Sequence, residues 1–491
     1  MPSRFQILYD ESSWQAYSDC DCSSPLSEPF DRTIPAGPLT LRRHPALRWL
    51  ALDDEYVVAF VPSASRVVVL DRAALALLDA FAAPRRWQAG PSDADEAIEL
   101  CYRLGLLVEG DGALPQPPPS DTLAAWLHVT NACNLRCTYC YVDKTDEAMT
   151  EATAFAAVDA VLRSARAHGF AKVLLKYAGG EASLNLPLVS ETHRYARSRC
   201  AALGIELEGV VLSNGTALTT HKIEQIRDLG LRLTISLDGM ESMHDQQRPT
   251  IGGQGSFRAA IAGIERAQRL GLTPDIAITV TGQSVAGLPE LLPWLIERDL
   301  RFSLSFYRPI EGISPAELQL DERRIVDGMR AAYAAIALQP PRRSLLGSLL
   351  DRTNLGAAHS RTCGVGDSYL VIDQRGAVAK CQMELAQPVT TIAARDPLAL
   401  IRADQVGVQN LPVDLKQGCR GCEWRYWCAG GCPVATFRAT GRYDIQSPNC
   451  GIYTALYPDV LRLEGLRLLA HAAPALLAPV LYTSMAHSLA S

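Results

Sequence analysis

Apolar and polar positions change period along this chain, and the changes divide it. Over residues 41–113 short β-type runs dominate: Trp49-Leu50-Ala51-Leu52, Tyr56 to Val61 and Arg66 to Leu70 predict strands, joined at Asp53-Asp54 and at Pro62-Ser63-Ala64-Ser65. Two helical stretches follow, Arg72 to Phe81 and Ser92 to Leu104, the second opened by an acidic first turn. The run Leu114-Pro115-Gln116-Pro117-Pro118-Pro119 predicts a stiff linker and a boundary.

Residues 120–340 alternate between β-type runs and amphipathic stretches. Strands are predicted at Ala124–Val129, Lys172–Tyr177, Glu206–Leu212, Leu231–Leu237, Asp275–Val280 and Arg301–Phe306, with helical segments such as Ala152–Ala167 and Phe257–Leu270 between them. Six β-then-α units imply an α/β fold with parallel strands and right-handed crossovers. That is short of a closed eight-unit barrel, so a partial barrel or an open sheet is expected, with its site at the C-terminal strand ends. Residues 1–40 are polar and predict a flexible arm. Residues 341–455 are dense in cysteine, and 456–491 open as an apolar helix suited to a cap or a dimer surface.

Composition narrows the chemistry. The chain has 491 residues, 48% hydrophobic and 20% charged, enough for about two to four domains and for a core that needs no disulfides. A net charge of -6, from 47 basic and 53 acidic residues, argues against broad binding to nucleic acid or an anionic membrane. No run reaches the ~20 apolar residues of a membrane-spanning helix. The nearest, Leu468 to Tyr482, is broken by His471, Pro474 and Pro479. Met1 to Asp31 has no apolar signal segment, so a cytoplasmic location is expected. In a reducing compartment the 14 cysteines point to metal or redox groups.

The first predicted strand runs into Cys133, Cys137 and Cys140, spaced C-x3-C-x2-C with Tyr139 before the third. Three thiolates on one loop can hold three irons of a [4Fe-4S] cluster and leave the fourth open, whereas a structural zinc site wants four ligands. Other strand ends carry Gly179-Gly180-Glu181, Ser213-Asn214-Gly215, Ser236-Leu237-Asp238-Gly239 with Arg248 beyond it, and Val280. Two glycines permit close backbone approach, Glu181 can accept from an ammonium group, and a guanidinium matches a carboxylate. Singly each is more often a turn than a site; together they mark successive strand ends.

In these motifs the chain resembles the radical S-adenosylmethionine enzymes. The resemblance implies that Cys133, Cys137 and Cys140 bind the radical-generating cluster. S-Adenosylmethionine would chelate the open iron and be cleaved to a 5′-deoxyadenosyl radical that abstracts a substrate hydrogen. It implies cofactor contacts at Tyr139, Gly179, Gly180, Glu181, Ser213, Asn214, Ser236, Arg248 and Val280. The proline that usually follows the Gly-Gly-Glu motif is Ala182 here.

Further on, Cys363 and Cys381 bracket Gly376, and Cys419, Cys422, Cys428, Cys432 and Cys450 follow as C-x2-C-x5-C-x3-C-x17-C. A zinc ribbon and a disulfide scaffold are the competing readings. The spacing resembles the SPASM extension of the same family, which implies two auxiliary [4Fe-4S] clusters, three clusters in all. Cys419, Cys422, Cys428 and Cys450 would hold the outer one, and Cys363, Cys381 and Cys432 the inner one. With no cysteine in Asn354 to Thr362, an open or non-cysteine inner position is expected, His359 being a candidate ligand. An open iron could bind a substrate thiolate. Cys101 and Cys200 are expected to be buried bystanders, and Cys20 and Cys22 stay unassigned.

Residues 41–113 resemble a winged-helix-like peptide-recognition domain to whose sheet edge a leader peptide adds as a strand, the other reading being a generic accessory domain. The whole is expected to be a partial (β/α)6 TIM-like barrel between that domain and a C-terminal iron–sulfur domain. The implied function is a maturase that installs an intramolecular crosslink in a ribosomally made precursor peptide. A thioether is the first choice and a C–C or C–O link the next, with electrons from an external flavodoxin or ferredoxin. The alternatives are an anaerobic sulfatase-maturing enzyme, whose acidic base near the sixth strand is missing from Arg301 to Pro309, and a non-catalytic iron–sulfur scaffold. Tyr307 and Arg308 are candidate substrate contacts at the barrel mouth.

Overall fold

The computed structural model describes residues 5–10, 34–35, 37–62, 66–112, 119–310 and 315–472. Cys20, Cys22, the Pro-rich linker from 114 to 118 and the chain beyond 472 lie outside the described residues.

The N-terminal part contains two small sheets. One has the order β1 (Ile7–Leu8), β5 (Val68–Asp71), β4 (Tyr56–Phe60), β3 (Arg48–Ala51), and the other β6 (Arg85–Trp87), β2 (Leu39–Arg43), β7 (Leu107–Glu109). Helix α1 (Arg72–Asp79) follows β5, and α2 (Asp93–Arg103) follows β6. Every residue of β4 is buried, because both faces are covered. Val57, Ala59, Val68 and Leu70 face the small domain's own core, whereas Tyr56, Val58, Phe60 and Val69 belong to the core of the main domain. The expected flexible arm is tied down where the structure describes it: Ile7 and Leu8 pair antiparallel with Leu70 and Val69, and Asp10 meets Arg467 at 2.7 Å.

The main sheet carries β8 (Thr122–Thr130), β9 (Lys172–Gly179), β10 (Glu206–Ser213), β11 (Arg232–Ser236), β12 (Asp275–Val280) and β13 (Phe302–Phe306), each pair parallel. The crossovers are α3 (Glu151–His168), α4 (Leu186–Leu203), α5 (Thr220–Asp228), α6 (Glu241–Gln247) with α7 (Phe257–Arg269), and α8 (Leu288–Glu297). Helix α9 (Glu322–Ala337) follows the sixth strand. The six β/α units therefore form as expected. The sheet goes on past the first strand, where β14 (Tyr369–Ile372) lies parallel to β8, and β15 (Ala377–Ala379) and β16 (Thr390–Thr391) add antiparallel. These C-terminal strands draw the cysteine-dense region onto the barrel mouth.

Period-two alternation sorts the barrel strands. Leu123, Ala125, Leu127 and Val129 of β8 pack outward among the helices, while Ala124 and Trp126 face inward beside Cys363, Cys381 and Cys432. Two short helices, α10 (Pro397–Ala403) and α11 (Arg425–Cys428), precede α12 (Pro433–Thr440), and α13 (Cys450–Ala472) begins at the last cysteine. Leu456, Tyr457, Val460 and Leu461 on α13 are buried in the main core, and Gly465 lies against Leu52 and Val58 of the small domain. Over its described part, the apolar helix expected beyond residue 455 packs between the main core and the small domain, and it starts earlier than the composition shift, at Cys450. No helix among the described residues is long and apolar enough to cross a membrane.

Candidate active site

The loop after β8 is fixed chiefly by backbone. Asn131 N–H donates to Glu147 O (2.8 Å), Arg136 N–H to Pro249 O (2.7 Å) and Thr138 N–H to Gln247 O (2.9 Å). The Gly-Gly-Glu turn closes on the same loop, with Gly180 N–H donating to Thr130 O (2.7 Å) and Glu181 N–H to Ala132 O (2.9 Å). A Cβ on Gly179 would sit 2.3 Å from Thr130 O, and one on Gly180 would sit 2.4 Å from Ala132 O. The glycines therefore serve close approach to the cysteine loop itself.

Glu181 is buried and held by protein donors, two on one carboxylate oxygen and one on the other. It accepts from Ser213 Oγ (2.7 Å), Ser183 N–H (3.0 Å) and Asn214 N–H (2.6 Å). Tyr139 donates to Asp238, Arg248 donates to the Tyr139 oxygen, and Arg248 lies 3.5 Å from Asp238. Asp238 also accepts from Thr279 N–H at 2.8 Å. Burial, with Asp238 beside it, holds the Tyr139 hydroxyl well above its ordinary value. Lys144 Nζ donates to Cys140 Sγ at 2.9 Å. Burial pushes the Cys137 thiol up to about 11.

A cavity of about 270 Å³ opens at these strand ends. Cys133, Cys137, Tyr139, Cys140, Gly179, Gly180, Glu181, Ser213, Asn214, Ser236 and Arg248 all line it. Val280 does not: it is fully buried in the core, and Ala277 and Thr279 of the same strand face the cavity instead. The strand period explains this, since residue 280 alternates outward with 276 and 278.

The opposite wall of the same cavity carries Cys363, Cys381 and Cys432, with Tyr307, Arg308 and Arg352. Long polar side chains hold this wall. Asn410 Nδ2 donates to Cys363 O (2.6 Å), Thr362 Oγ1 to Gly431 O (2.7 Å) and Lys416 Nζ to Ala429 O (2.8 Å). Arg308 Nε donates to Cys432 Sγ at 3.3 Å. Burial alone would raise the Cys432 thiol, yet Arg308 and Arg352 hold it below its ordinary value. Cys419, Cys422, Cys428 and Cys450 form a second set, close enough for their charges to act on one another. Burial and those neighbours push the Cys419 thiol up to about 12. His359 is buried off the cavity wall, its N–H donating to Tyr426 O (2.9 Å). Cys101 and Cys200 are buried in apolar surroundings.

Asp351 is a site neighbour that the strand-end reading missed. It comes from the loop after α9, yet its carboxylate reaches the end of the sixth strand and accepts from Phe306 N–H (3.0 Å), Arg308 Nη2 (2.6 Å) and Tyr453 OH (3.1 Å). No local motif marks it. Lys144 reaches Cys140 from a non-helical stretch, so its four-residue spacing carried no signal either.

These residues can be tested against an iron–sulfur cluster and S-adenosylmethionine. Among the described residues no three His, Cys, Asp or Glu side chains converge tightly enough to hold a single ion. A four-iron cluster takes one thiolate per iron, so cysteines spread around a shared space suit it better than zinc. Arg248 lines the cavity, and its buried Nε has no protein acceptor, so its guanidinium retains a donor for an anionic ligand group. The donor set fits both groups.

The fold is an α/β one whose cysteine loop and polar motif residues meet at the C-terminal ends of parallel strands. Residues 127–295 match the Radical SAM superfamily and form a radical SAM domain. Proteins of that superfamily use S-adenosylmethionine and a [4Fe-4S] cluster. Over 356 residues the chain is 25% identical to the serine-type anaerobic sulfatase-maturating enzyme of Klebsiella aerogenes, covering 67% of this chain and 83% of that one. Over 206 residues it is 28% identical to the sporulation killing factor maturation protein SkfB of Bacillus subtilis (strain 168), covering 41% and 47%. The solved structure of native anSMEcpe with bound AdoMet and Cp18Cys peptide aligns with a TM-score of 0.59 at 17% identity, covering 70% of this chain and 99% of that one. That likeness is one of fold.

Proposed function

We propose that this protein is a peptide maturase that uses S-adenosylmethionine to link two residues of a ribosomally made precursor. The observation that carries the reading is the cavity with a triad of cysteines on each of two walls. When bound, the cluster and S-adenosylmethionine supply one-electron chemistry that ends in hydrogen abstraction from the substrate. Cys133, Cys137 and Cys140 would hold the radical-generating cluster, and Cys363, Cys381 and Cys432 the inner auxiliary cluster. Cys419, Cys422, Cys428 and Cys450 would hold the outer one. Glu181, Ser213, Asn214, Ser236 and Arg248 would orient the cofactor, with Tyr139 and Asp238 fixing the guanidinium. Electrons would come from an external flavodoxin or ferredoxin.

Seven auxiliary cysteines cannot give four thiolates to each of two four-iron clusters, which leaves a position for a substrate thiol and favours a thioether product. The small N-terminal domain would take the leader as an added strand. Its β3 edge is largely exposed and, among the described residues, pairs on one side only, with β4.

A second reading is formylglycine formation on a sulfatase. The Klebsiella aerogenes relative favours it, as does the carboxylate of Asp351 beside the sixth strand. Against it, that carboxylate is ion-paired with Arg308 and does not line the cavity, so it is poorly placed to take a substrate proton. Co-expression with the neighbouring precursor peptide, followed by mass spectrometry, separates the readings. A loss of two hydrogens that survives thiol reduction is the expected result. An unlinked peptide, with formylglycine appearing in a co-expressed sulfatase, would replace this reading by the second.

A further inference from the structure

We propose that Arg308 is a positioning residue for the inner auxiliary cluster, and that the Arg308–Asp351 pair sets the reduction potential of that cluster. The inference rests on the proposed assignment of Cys363, Cys381 and Cys432 to it.

Protein contacts hold all three nitrogens of the guanidinium. Nε donates to Cys432 Sγ at 3.3 Å, Nη2 to Asp351 at 2.6 Å, and Nη1 to Phe306 O. The Arg308 and Asp351 side chains are 9% and 1% exposed. Asp351 is itself held by Phe306 N–H and by Tyr453 OH, and the Tyr453 ring stacks on Phe306 with centroids 6.1 Å apart. The fork therefore cannot swing away from the sulfur without breaking a buried ion pair. On the same wall Cys363 Sγ receives a neutral amide contact, from Asn410 at 3.6 Å.

Hydrogen bonds to cluster sulfurs and nearby positive charge favour the reduced, more negative cluster, and so raise its potential. The carboxylate of Asp351 works the other way by offsetting the guanidinium charge. Two substitutions in one ion pair should then shift the potential in opposite directions. A structural role alone would make both variants lose the same property.

The test is a redox titration followed by electron paramagnetic resonance, on the full chain reconstituted anaerobically with iron and sulfide. For Arg308→Gln the inner cluster should become harder to reduce. Its oxidised-to-reduced ratio at a fixed poise should rise about tenfold, equivalent to ~59 mV for one electron. Asp351→Asn should move it the opposite way. Arg308→Lys, which keeps the charge and loses the fork, should fall between wild type and Arg308→Gln, and it decides the matter if the Gln variant does not fold. Shifts of the same sign in both variants, or none, would overturn the inference while leaving the cluster assignment standing. Wild-type protein that binds iron only at Cys133, Cys137 and Cys140 would overturn both.

Discussion

The two walls of the cavity each carry three cysteines, but they are built differently. The Cys133–Cys140 wall is a short loop tied by backbone hydrogen bonds to Thr130, Ala132, Glu147, Gln247 and Pro249, with side-chain bonds from Arg136 and Asn214 beside them. The Cys363–Cys432 wall is assembled from distant segments and held by side chains reaching carbonyls: Asn410 to Cys363, Thr362 to Gly431, Lys416 to Ala429. The first wall should tolerate side-chain changes around the loop but not added bulk where backbones meet. The second should fail when one long polar side chain is cut back.

The largest effect is expected from Gly180→Val. Its Cβ would meet Ala132 O at 2.4 Å and Asn131 O at 2.5 Å, both backbone atoms. A loss of about 4 kcal/mol or more is expected, in the range reserved for steric damage to a core. Thermal melting and iron counting should show the radical-site iron gone and the C-terminal iron largely retained. Lys416→Met comes next. Lys416 is buried among Cys419, Cys363, Cys428 and Cys432, and burial lowers its ammonium while those thiols raise it. Removing the ammonium leaves the buried Ala429 carbonyl without its donor and should cost about 1–3 kcal/mol. It should empty the auxiliary sites and spare the first wall. Equal iron loss from both sites in either variant would erase the distinction between the walls.

A smaller effect concerns acid. His244 is buried behind the first wall, accepts from Asp238 N–H (3.3 Å) and meets Ser256 Oγ (3.1 Å). Burial, with Arg248 nearby, lowers its pKa to about 3. The unfolded chain takes up that proton near the ordinary value of about 6.5, the folded chain only near 3. Stability from this group is therefore complete above about pH 6.5 and falls as pH drops toward 3. In His244→Gln, denaturant midpoints measured across that window should fall less steeply than in wild type.

The difference between the walls also explains what the sequence disclosed. The first wall is local, so C-x3-C-x2-C and the strand-end motifs could be read in order, and the six predicted strands match β8 to β13 closely. The second wall's cysteines could be counted but not placed, because β14 brings them to the barrel by pairing with β8 across a long sequence separation. Asp351 was invisible for the same reason: it reaches the sixth strand from a loop, not from a strand end. Val280 was misjudged by one residue of strand phase. The core role of α13 was hidden because an apolar helix reads alike whether it packs within its own chain or against another.

The central claim is that one wall generates the radical and the other handles the peptide. Measuring cofactor cleavage and linked peptide side by side, in Cys137→Ala and Cys432→Ala, tests it most directly. The account predicts that Cys137→Ala loses both, and that Cys432→Ala keeps a substantial part of cleavage while losing the linked product. Equal loss of cleavage in the two variants would contradict it.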